Sequence, residues 1–365
     1  NSVYASVSLP VSVDGQGSYL NQIFVGMFRP DAQARPRWAG NLKQYQLGFD
    51  ANNNVQLEDR YGDPAINSAG TGFISPNAIS FWTEDRTAAA DGPYVFTGNS
   101  ITSGTVTDWP GSGFWVNSPS GAGGAFDSPD GEVVEKGGVS EALRADFLTS
   151  QDGRTVYTCN STTSCPTTTA MPYFNTANGT LLAANSATLG SSTSTPTAVQ
   201  LVNWIRGADN AGNEAERGPG APVTVRPSIH ADVLHSRPAV VNYGGSIGVV
   251  VYYGSNDGMF HAVNGNQTAG INNVRPGGEL WSFVAPEFFG RFQRLYNNSP
   301  KIKLFGSTDS TAQPKDYFFD GATTLYQDLR DPNNPRIYIY MTARRGGRLM
   351  YAMDVTNPLA PRFLW

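Results

Sequence analysis

The sequence predicts a mainly β fold: a β-rich N-terminal region followed by the first blades of a β-propeller, which is incomplete in this chain. Composition supports the β class, because 39% of the 365 residues are apolar and only 15% are charged, against roughly 25% charged in an average soluble domain. Glycine (40 residues) and proline (24) are frequent, as in proteins with many turns. The third observation is a strand pattern that occurs twice near the C-terminus.

Charge and hydropathy argue against nucleic-acid binding and against a membrane-spanning helix. The net charge is −5 and only five of the 25 basic residues are lysine, so a broad basic face for nucleic acid is not expected. The longest apolar stretch, residues 249–253, has the length of a strand, whereas a membrane-spanning helix needs roughly 20 apolar residues. We therefore predict no nucleic-acid binding and no transmembrane segment. The chain begins at Asn1 without an initiator methionine or signal peptide, and we expect it to be an excised piece of a longer polypeptide.

Residues 1–207 are predicted to form the β-rich region, with one or two short helices and a Ser/Thr-rich loop. Short apolar runs indicate strands at residues 24–28, 45–49, 55–57 and 79–82. Residues 108–138 are rich in glycine and are expected to form surface loops.

Two segments of this region have helical spacing. The first covers residues 140–149, with Ser140 as the N-cap. The second covers residues 197–206 and ends at Gly207. Its predicted apolar face consists of Val199, Val202 and Ile205.

After a linker predicted at residues 208–225, residues 226–365 carry the repeated strand pattern. Residues 249–263 indicate a strand, a Ser-Asn-Asp-Gly turn and a second strand, and a third strand follows at residues 279–283. The same order returns over residues 337–365.

The repeat aligns Ala262 with Ala352, and Trp281 with Trp365. Each blade of a β-propeller is a four-stranded sheet that stacks on the next blade, and a hairpin followed by a tryptophan-containing strand is typical of such blades. Two blades cannot close a ring, so the others are expected after Trp365. Two unrelated hairpins that match by coincidence are the alternative.

The only two cysteines, Cys159 and Cys165, lie six positions apart in the Ser/Thr-rich loop. A disulfide between them would close a small ring and stabilise the fold modestly. Free thiols are the first alternative and a metal site is the second, although no histidine lies nearby to complete one. The disulfide favours an oxidising, secreted setting.

Oxygen-bearing side chains at alternate positions suggest a calcium loop at residues 50–58. Asp50, Asn52, Asn54 and Glu58 occupy positions 1, 3, 5 and 9, and Gln56 offers its carbonyl at position 7. Calcium loops use this spacing because alternate residues turn toward one centre. Only two carboxylates are present, and position 6 is a valine rather than a glycine. An Asn-rich hairpin without calcium is the alternative, and residues 209–214 are a poorer candidate for the same reasons.

No catalytic constellation emerges from the spacing of the residues. Residues 244–248 match the GxSxG pattern, but a strand is predicted after the serine where a nucleophile elbow needs a helix, so this segment is predicted to be a turn. The three histidines, His230, His235 and His261, are expected to be structural, with a zinc site as the alternative. We therefore predict that the protein is not an enzyme.

Several segments together resemble the PilY/PilC proteins of bacterial type IV pili, and they occur in the same order as in that family. They are VYASVSLP (3–10), NQIFVGMFRP (21–30), RWAGNLKQY (37–45), SFWT (80–83), VEKGG (134–138) with Leu143-Arg144, LVNWIRG (201–207), DVLHSRP (232–238), YGSNDGMFHA (253–262) and LWSFVAPE (280–287). Each segment is short, but the set covers nearly the whole chain.

The resemblance implies a pilus-tip adhesin and type IV pilus biogenesis factor. Proteins of this family are secreted through the periplasm to the outer cell surface, carry a variable N-terminal region and end in a seven-bladed propeller. They prime pilus assembly with minor pilins, oppose the retraction that drives twitching motility, and attach to host or abiotic surface receptors. Calcium is implied as a cofactor, but the family's propeller loop would fall after Trp365. No organic cofactor is expected.

The sequence departs from this family at one motif and leaves two other functions open. Some relatives carry Arg-Gly-Asp, whereas this chain has an inserted alanine at 206–209, so integrin binding is not carried over. A quinoprotein dehydrogenase has similar tryptophan-ended blades, but it often uses adjacent cysteines, which are absent here. A carbohydrate-binding module is the other alternative, in which Trp109 and Trp115 would stack on sugars.

Overall fold

The computed structural model describes residues 4–8, 21–31, 33–66, 74, 78–83, 95–97, 100–103, 134, 137–147, 150–209, 225–226, 229–331 and 334–365. The strands in these ranges are β1 (Tyr4–Ser8), β2 (Ile23–Arg29), β3 (Ala39–Phe49), β4 (Val55–Glu58), β5 (Val95–Thr97), β6 (Ser100–Ser103), β7 (Val156–Thr158), β8 (Ala239–Asn242), β9 (Val249–Gly254), β10 (Met259–Asn264), β11 (Glu279–Val284), β12 (Thr323–Asp328), β13 (Arg336–Thr342), β14 (Met350–Asp354) and β15 (Arg362–Phe363).

In the described ranges, strands outnumber helices and include more residues, so the predicted mainly β class is confirmed. The α-helices are α1 (Gly138–Asp146), α2 (Gly179–Ala184), α3 (Ser186–Leu189), α4 (Ala198–Arg206) and α5 (Phe292–Asn297). Two 3₁₀ helices cover Pro286–Arg291 and Arg344–Gly346. In the described ranges, no helix has both the length and the apolar character that a bilayer crossing would need.

The strands form four sheets, and none of these sheets closes on itself within the described residues. The N-terminal sheet has the order β1-β2-β3-β4, and β5 pairs with β6 alone. We call the next two the first and second C-terminal sheets. The first has the order β7-β11-β10-β9-β8, and the second has the order β12-β13-β14-β15.

Each C-terminal sheet contains a four-stranded antiparallel meander, as the repeat predicted. In the first sheet, Ala262 lies opposite Trp281. In the second, the Ala352 amide donates to the Trp365 carbonyl at 2.8 Å. The two tryptophans are therefore in equivalent positions. Strands β8 and β12, which the sequence did not predict, complete the two meanders.

The two C-terminal sheets pack on each other through aromatic side chains, and the core they share is continuous with α4. The rings of Phe283 and Tyr351 lie 5.2 Å apart between centroids. Gly254 in β9 permits this approach, because a Cβ at that position would lie 2.0 Å from the carbonyl oxygen of Phe319. Such short contacts are incompatible with close packing unless the backbone shifts.

Helix α4 shows how local sequence produces structure at the predicted place. The Thr197 hydroxyl accepts a hydrogen bond from the Gln200 amide, and the Gln200 side chain accepts one from the Thr197 amide, which forms a capping box. Gly207 ends the helix with a φ of 126°. The predicted apolar face was wrong at Val199, which is 46% exposed. Leu201 takes its place, because it packs in the core with Val202 and Ile205.

Two other local predictions need correction. Helix α1 begins at Gly138 rather than after Ser140. The Glu141 carboxylate accepts from the amide of the N-cap residue Gly137 at 3.0 Å, and the Ser140 amide donates to the Asn41 side-chain oxygen at 2.9 Å. The strand predicted at residues 79–82 is reduced to one bridge between Gln44 and Phe81, because Trp82 adopts a φ of 74° that interrupts extended pairing.

The predicted division at residues 208–225 lies mostly outside the described residues and stays a prediction. Strand β7, on its N-terminal side, pairs in parallel with β11, with Phe283 opposite Tyr157. Directly after β7, Cys159 and Cys165 form the expected disulfide, with 4.6 Å between their Cα atoms. The predicted loop at residues 108–138, with Trp109 and Trp115, also lies almost entirely outside the described residues.

Candidate functional site

The first C-terminal sheet encloses a group of charged side chains, which we call the buried ion cluster: Arg154, Asp257, His261 and Glu279. His261 lies in the middle of β10 and Glu279 begins β11, while Asp257 belongs to the tight turn between β9 and β10. Arg154 reaches the cluster from the segment that leads into β7. All four residues are buried or nearly so.

The four side chains form one chain of charge-assisted hydrogen bonds. Arg154 donates to Glu279 through Nε and Nη2, at 2.9 Å each. His261 Nδ1 lies 2.8 Å from Glu279 Oε2, and His261 Nε2 lies 3.0 Å from Asp257 Oδ2. Two cations and two carboxylates therefore alternate, which offsets the cost of removing each charge from water.

The alternation of charges holds a proton on His261. Burial lowers the pKa of His261, but the neighbouring carboxylates of Asp257 and Glu279 outweigh burial and raise it to about 9. Burial raises the pKa of Glu279, but Arg154 and His261 outweigh it and lower this pKa to about 2. The imidazolium and the two carboxylates thus keep one another charged.

His230 lies beside the cluster in the opposite protonation state. Its ring stacks on that of His261 at 5.2 Å between centroids. Its Nε2 lies 2.8 Å from the Tyr253 hydroxyl, and its Nδ1 lies 2.7 Å from the Ala231 carbonyl. Burial, together with the charge on His261, lowers the pKa of His230 to about 4. The two stacked rings therefore carry one positive charge between them near neutral pH.

Arg206, the first residue of the Arg-Gly-Ala-Asp segment, is buried behind the cluster. Its guanidinium donates to four backbone carbonyls, those of Gln151, Asp152, Arg154 and Phe174, at 3.0–3.2 Å. Asp209 is buried as well. This segment is therefore part of the protein interior and does not present an exposed recognition loop.

The chemistry of the buried ion cluster is that of a structural element. Ser282 lies opposite His261 across the strands, and its buried hydroxyl has no hydrogen-bond partner among the residues that the structure describes. Both imidazole nitrogens of His261 face carboxylates, so the ring cannot accept a proton from this hydroxyl. In the part of the chain that the structure describes, no group of three or more His, Cys, Asp or Glu residues is arranged to hold a metal ion.

A second polar group joins the first C-terminal sheet to the segment that precedes β12. Lys315 Nζ lies 3.1 Å from Asp232 Oδ1, and the Asn256 side chain donates to Asp232 Oδ2 at 2.6 Å. His235 Nδ1 lies 2.8 Å from Asp320 Oδ2. All three predicted structural histidines therefore have polar partners, and residues 244–248 form the predicted turn, in which the Gly248 amide donates to the Gly244 carbonyl.

The structure brings together three of the five predicted calcium-loop residues. The Asp50 carboxylate accepts from the amides of Asn52 and Asn54 at 2.9 and 2.8 Å, and from the Asn54 side chain at 2.9 Å. Glu58 lies opposite Gln46 in the strand register, on the far side of the β3–β4 pairing from this turn, and accepts from the Gln56 side chain at 3.0 Å. Calcium binding at residues 50–58 stays a prediction.

The second C-terminal sheet has an aromatic surface on the side facing away from the first sheet. We call it the outer aromatic face, formed by Tyr326, Tyr338, Tyr340 and Trp365. The rings of Tyr326 and Tyr338 stack 5.8 Å apart, and those of Tyr340 and Trp365 lie 6.2 Å apart. Trp365 is 53% exposed, whereas Trp281, its equivalent in the first sheet, is 1% exposed. Trp281 donates its indole hydrogen to the Pro358 carbonyl, in the loop between β14 and β15, at 2.7 Å.

Stacked meander sheets, a local disulfide and a buried cluster of alternating cations and carboxylates define this chain as a β-rich protein. It is similar to the type IV pilus biogenesis factor PilY1 homolog of Xylella fastidiosa (strain Temecula1 / ATCC 700964), with 27% identity over 202 residues, 48% of this chain and 14% of the relative. It is also similar to the type IV pilus biogenesis factor PilY1 of Pseudomonas aeruginosa (strain UCBPP-PA14), with 27% identity over 194 residues, 46% of this chain and 14% of the relative.

These comparisons confirm the similarity to PilY proteins that the sequence motifs indicated. The match spans about one seventh of the length of either relative. No protein-family model matches the chain. No solved structure matches it either.

Proposed function

We propose that this chain is part of a type IV pilus biogenesis factor that acts on the cell surface and catalyses no reaction. The observation that carries the proposal is the similarity of nearly half of the chain to two PilY1 proteins, both named as biogenesis factors of type IV pili. The proposed location is the pilus tip, which the protein reaches by secretion through the inner membrane and the periplasm.

Within this function we assign three roles to the whole protein. It primes pilus assembly together with minor pilins, it opposes retraction, and it attaches the tip to a host or abiotic surface. The non-catalytic reading is supported by the buried ion cluster, whose histidine has both ring nitrogens engaged by carboxylates. Calcium belongs to the proposal for the whole protein, with residues 50–58 as the candidate loop in this chain.

We further propose that the two C-terminal sheets are the first blades of a propeller. The support comes from the difference between the equivalent tryptophans, since the second sheet covers Trp281 and leaves Trp365 half exposed. A third sheet stacked on the outer aromatic face would bury Trp365 in the same way. Light scattering and thermal unfolding should compare this chain with one extended to the C-terminus of the whole protein. A monomeric chain of 365 residues that melts as high as the extended one would refute the propeller.

The proposed function is tested in the bacterium that encodes the chain. Deleting the gene should abolish surface pili, counted by electron microscopy, and a plasmid copy of the gene should restore them. A plasmid copy that lacks residues 239–365 should fail to restore them. Wild-type piliation and wild-type twitching in the deletion strain would refute the proposal.

A second deletion separates priming of assembly from opposition to retraction. If the protein only opposes retraction, removing the retraction ATPase as well should restore normal numbers of pili. If it also primes assembly, the double mutant should have pili in reduced number. A count of pili that does not change when the gene is deleted in the strain without the ATPase would remove the priming role from the proposal.

A further inference from the structure

The chain between α5 and β12 contains a stretch in which every residue is exposed, residues 303–311, which we call the apical loop. Its two limbs are joined at the base by backbone hydrogen bonds. The Lys303 amide donates to the Gln313 carbonyl at 2.8 Å, and the Gln313 amide donates to the Lys301 carbonyl at 2.9 Å. Between these limbs, Ile302 is buried and its amide donates to the Ala34 carbonyl at 2.7 Å.

Arg294 in α5 joins the two limbs of the apical loop at their base by hydrogen bonds. Its guanidinium donates to the carbonyls of Pro300 and Lys301 on one limb, and to those of Gln313 and Pro314 on the other, at 2.5–3.2 Å. The same guanidinium pairs with Asp316 at 3.0 Å. The loop is therefore held in place at its base, so little conformational freedom at its base remains to be lost when it binds a partner.

Two adjacent apolar side chains lie at the tip of the apical loop. Leu304 is 55% exposed and Phe305 is 109% exposed. A turn forms the tip, in which the Ser307 amide donates to the Leu304 carbonyl at 3.1 Å and Gly306 has a φ of 77°. These two adjacent side chains leave apolar surface in water on a hydrogen-bonded support, and removing that surface from water would favour binding.

The charges near the tip have a definite arrangement. Lys301 and Lys303, two of the five lysines in the chain, precede the apolar pair on one limb, and both are exposed. The acid of the other limb, Asp309, accepts hydrogen bonds from the Thr311 amide and hydroxyl at 2.9 and 2.7 Å. These hydrogen bonds, and to a lesser extent the charge of Lys301, lower the pKa of Asp309. Lys303 is thus the cation next to the apolar pair.

We propose that the apical loop inserts Leu304 and Phe305 into the interfacial region of a bilayer that contains anionic lipids, with Lys303 at the level of the phosphates. A protein partner would also contact the surface of this chain around the two side chains. Residues 306–311 offer little apolar surface for such a contact, because all of them are glycine, serine, threonine or aspartate. A bilayer needs only a small apolar tip and adjacent lysines, whose positive charge matches the negative lipid surface.

The proposal is tested by binding of the 365-residue chain to vesicles of phosphatidylcholine with and without phosphatidylglycerol. Flotation should recover the chain with the vesicles that contain phosphatidylglycerol, and Phe305→Ser should lower the partition coefficient on the order of tenfold. Lys303→Gln should lower it about fivefold. Lys301→Gln should lower it less, because Lys301 is farther from the apolar pair along the chain. Phe49→Ser is the matched control, since Phe49 is also exposed, at 65%, but lies on the β3–β4 hairpin.

A second readout places the tip in the lipid. Phe305→Cys introduces a single reactive thiol, because both native cysteines are in the disulfide. An environment-sensitive dye on this thiol should increase in fluorescence with vesicles that contain phosphatidylglycerol, and the same dye at Phe49→Cys should not. Failure of the wild-type chain to float, equal flotation of Phe305→Ser, or equal dye responses at the two sites would overturn the proposal. Absence of flotation would leave a protein partner as the occupant of the tip.

Discussion

The protonation of His261 leads to a specific prediction about stability and pH. The pKa of this histidine rises from 6.5 to about 9 in the folded protein. Its stabilising contribution is therefore complete below pH 6.5 and is lost as the pH rises toward 9. His230 acts in the other direction, because its pKa falls from 6.5 to about 4, so the unfolded chain binds a proton there first as the pH falls. We expect the free energy of unfolding to be largest near pH 6.5.

The magnitude follows from the shift in pKa. At about 1.4 kcal/mol per pH unit, a rise from 6.5 to about 9 corresponds to about 3 kcal/mol lost between these two values. The partners of His261 decide the effect, since Asp257 and Glu279 accept its two hydrogens and Arg154 supports Glu279. Asp257→Asn removes one of the two carboxylates, so it should shrink the loss on the alkaline side. His261→Gln should abolish that loss.

The assay is urea unfolding followed by tryptophan fluorescence at pH values from 5 to 9, with the wild type, Asp257→Asn and His261→Gln. If His261→Gln fails to fold, the comparison rests on Asp257→Asn, which retains the imidazole. A wild-type free energy that stays constant or rises between pH 6.5 and 9 would show that the proton on His261 does not contribute. An alkaline loss of equal size in all three proteins would assign the effect to other groups.

Three further changes have expected outcomes. Gly254→Ala should cost about 1–3 kcal/mol in thermal unfolding, because its Cβ would lie 2.0 Å from the Phe319 carbonyl oxygen. Gly179→Ala should not destabilise, because no described atom lies within 4 Å of its added Cβ. Equal melting of the two variants would contradict the close packing of the sheets. Cys159 and Cys165 should react with an alkylating agent only after reduction, as measured by intact mass, and alkylation without reductant would refute the disulfide. Replacing both by serine should lower the free energy of unfolding by about 2 kcal/mol. Calorimetry should detect no calcium site tighter than about 10⁻⁵ M, and a submicromolar site that disappears on Asp50→Ala would show that this loop binds calcium strongly.

The features that the sequence predicted well depend on neighbouring residues. Helix α4 has its capping box within three residues and its stop signal, Gly207, directly after its last turn. The β9–β10 hairpin has an Asp-Gly turn between two runs of β-branched and aromatic residues. The alignment of Trp281 with Trp365 also held, because each hairpin and the strand after it form one local unit.

The missed features depend on residues that are distant in the chain. Arg154 and Glu279 are 125 positions apart, and no spacing rule connects them. A signal existed nonetheless: in a chain with only 15% charged residues, His261 and Glu279 occur within apolar strands, and buried charges require partners. Strand β12 was missed because its burial is partial and irregular. It lies at the edge of its sheet as far as the described residues show, with β13 on one side and no described strand on the other.

The parallel pairing of β7 with β11 determines how this protein would respond to mechanical tension. A force applied between the segment before β7 and the second C-terminal sheet pulls the two strands along their length in opposite directions. Their hydrogen bonds, such as that from the Ser282 amide to the Thr155 carbonyl at 2.9 Å, are then loaded together in shear rather than broken one after another. Residues 159–278 connect the two strands along the chain, and the pairing of β7 with β11 keeps this segment from being extended. Rupture of the pairing would let this segment extend, except for residues 159–165, which the disulfide closes into a ring.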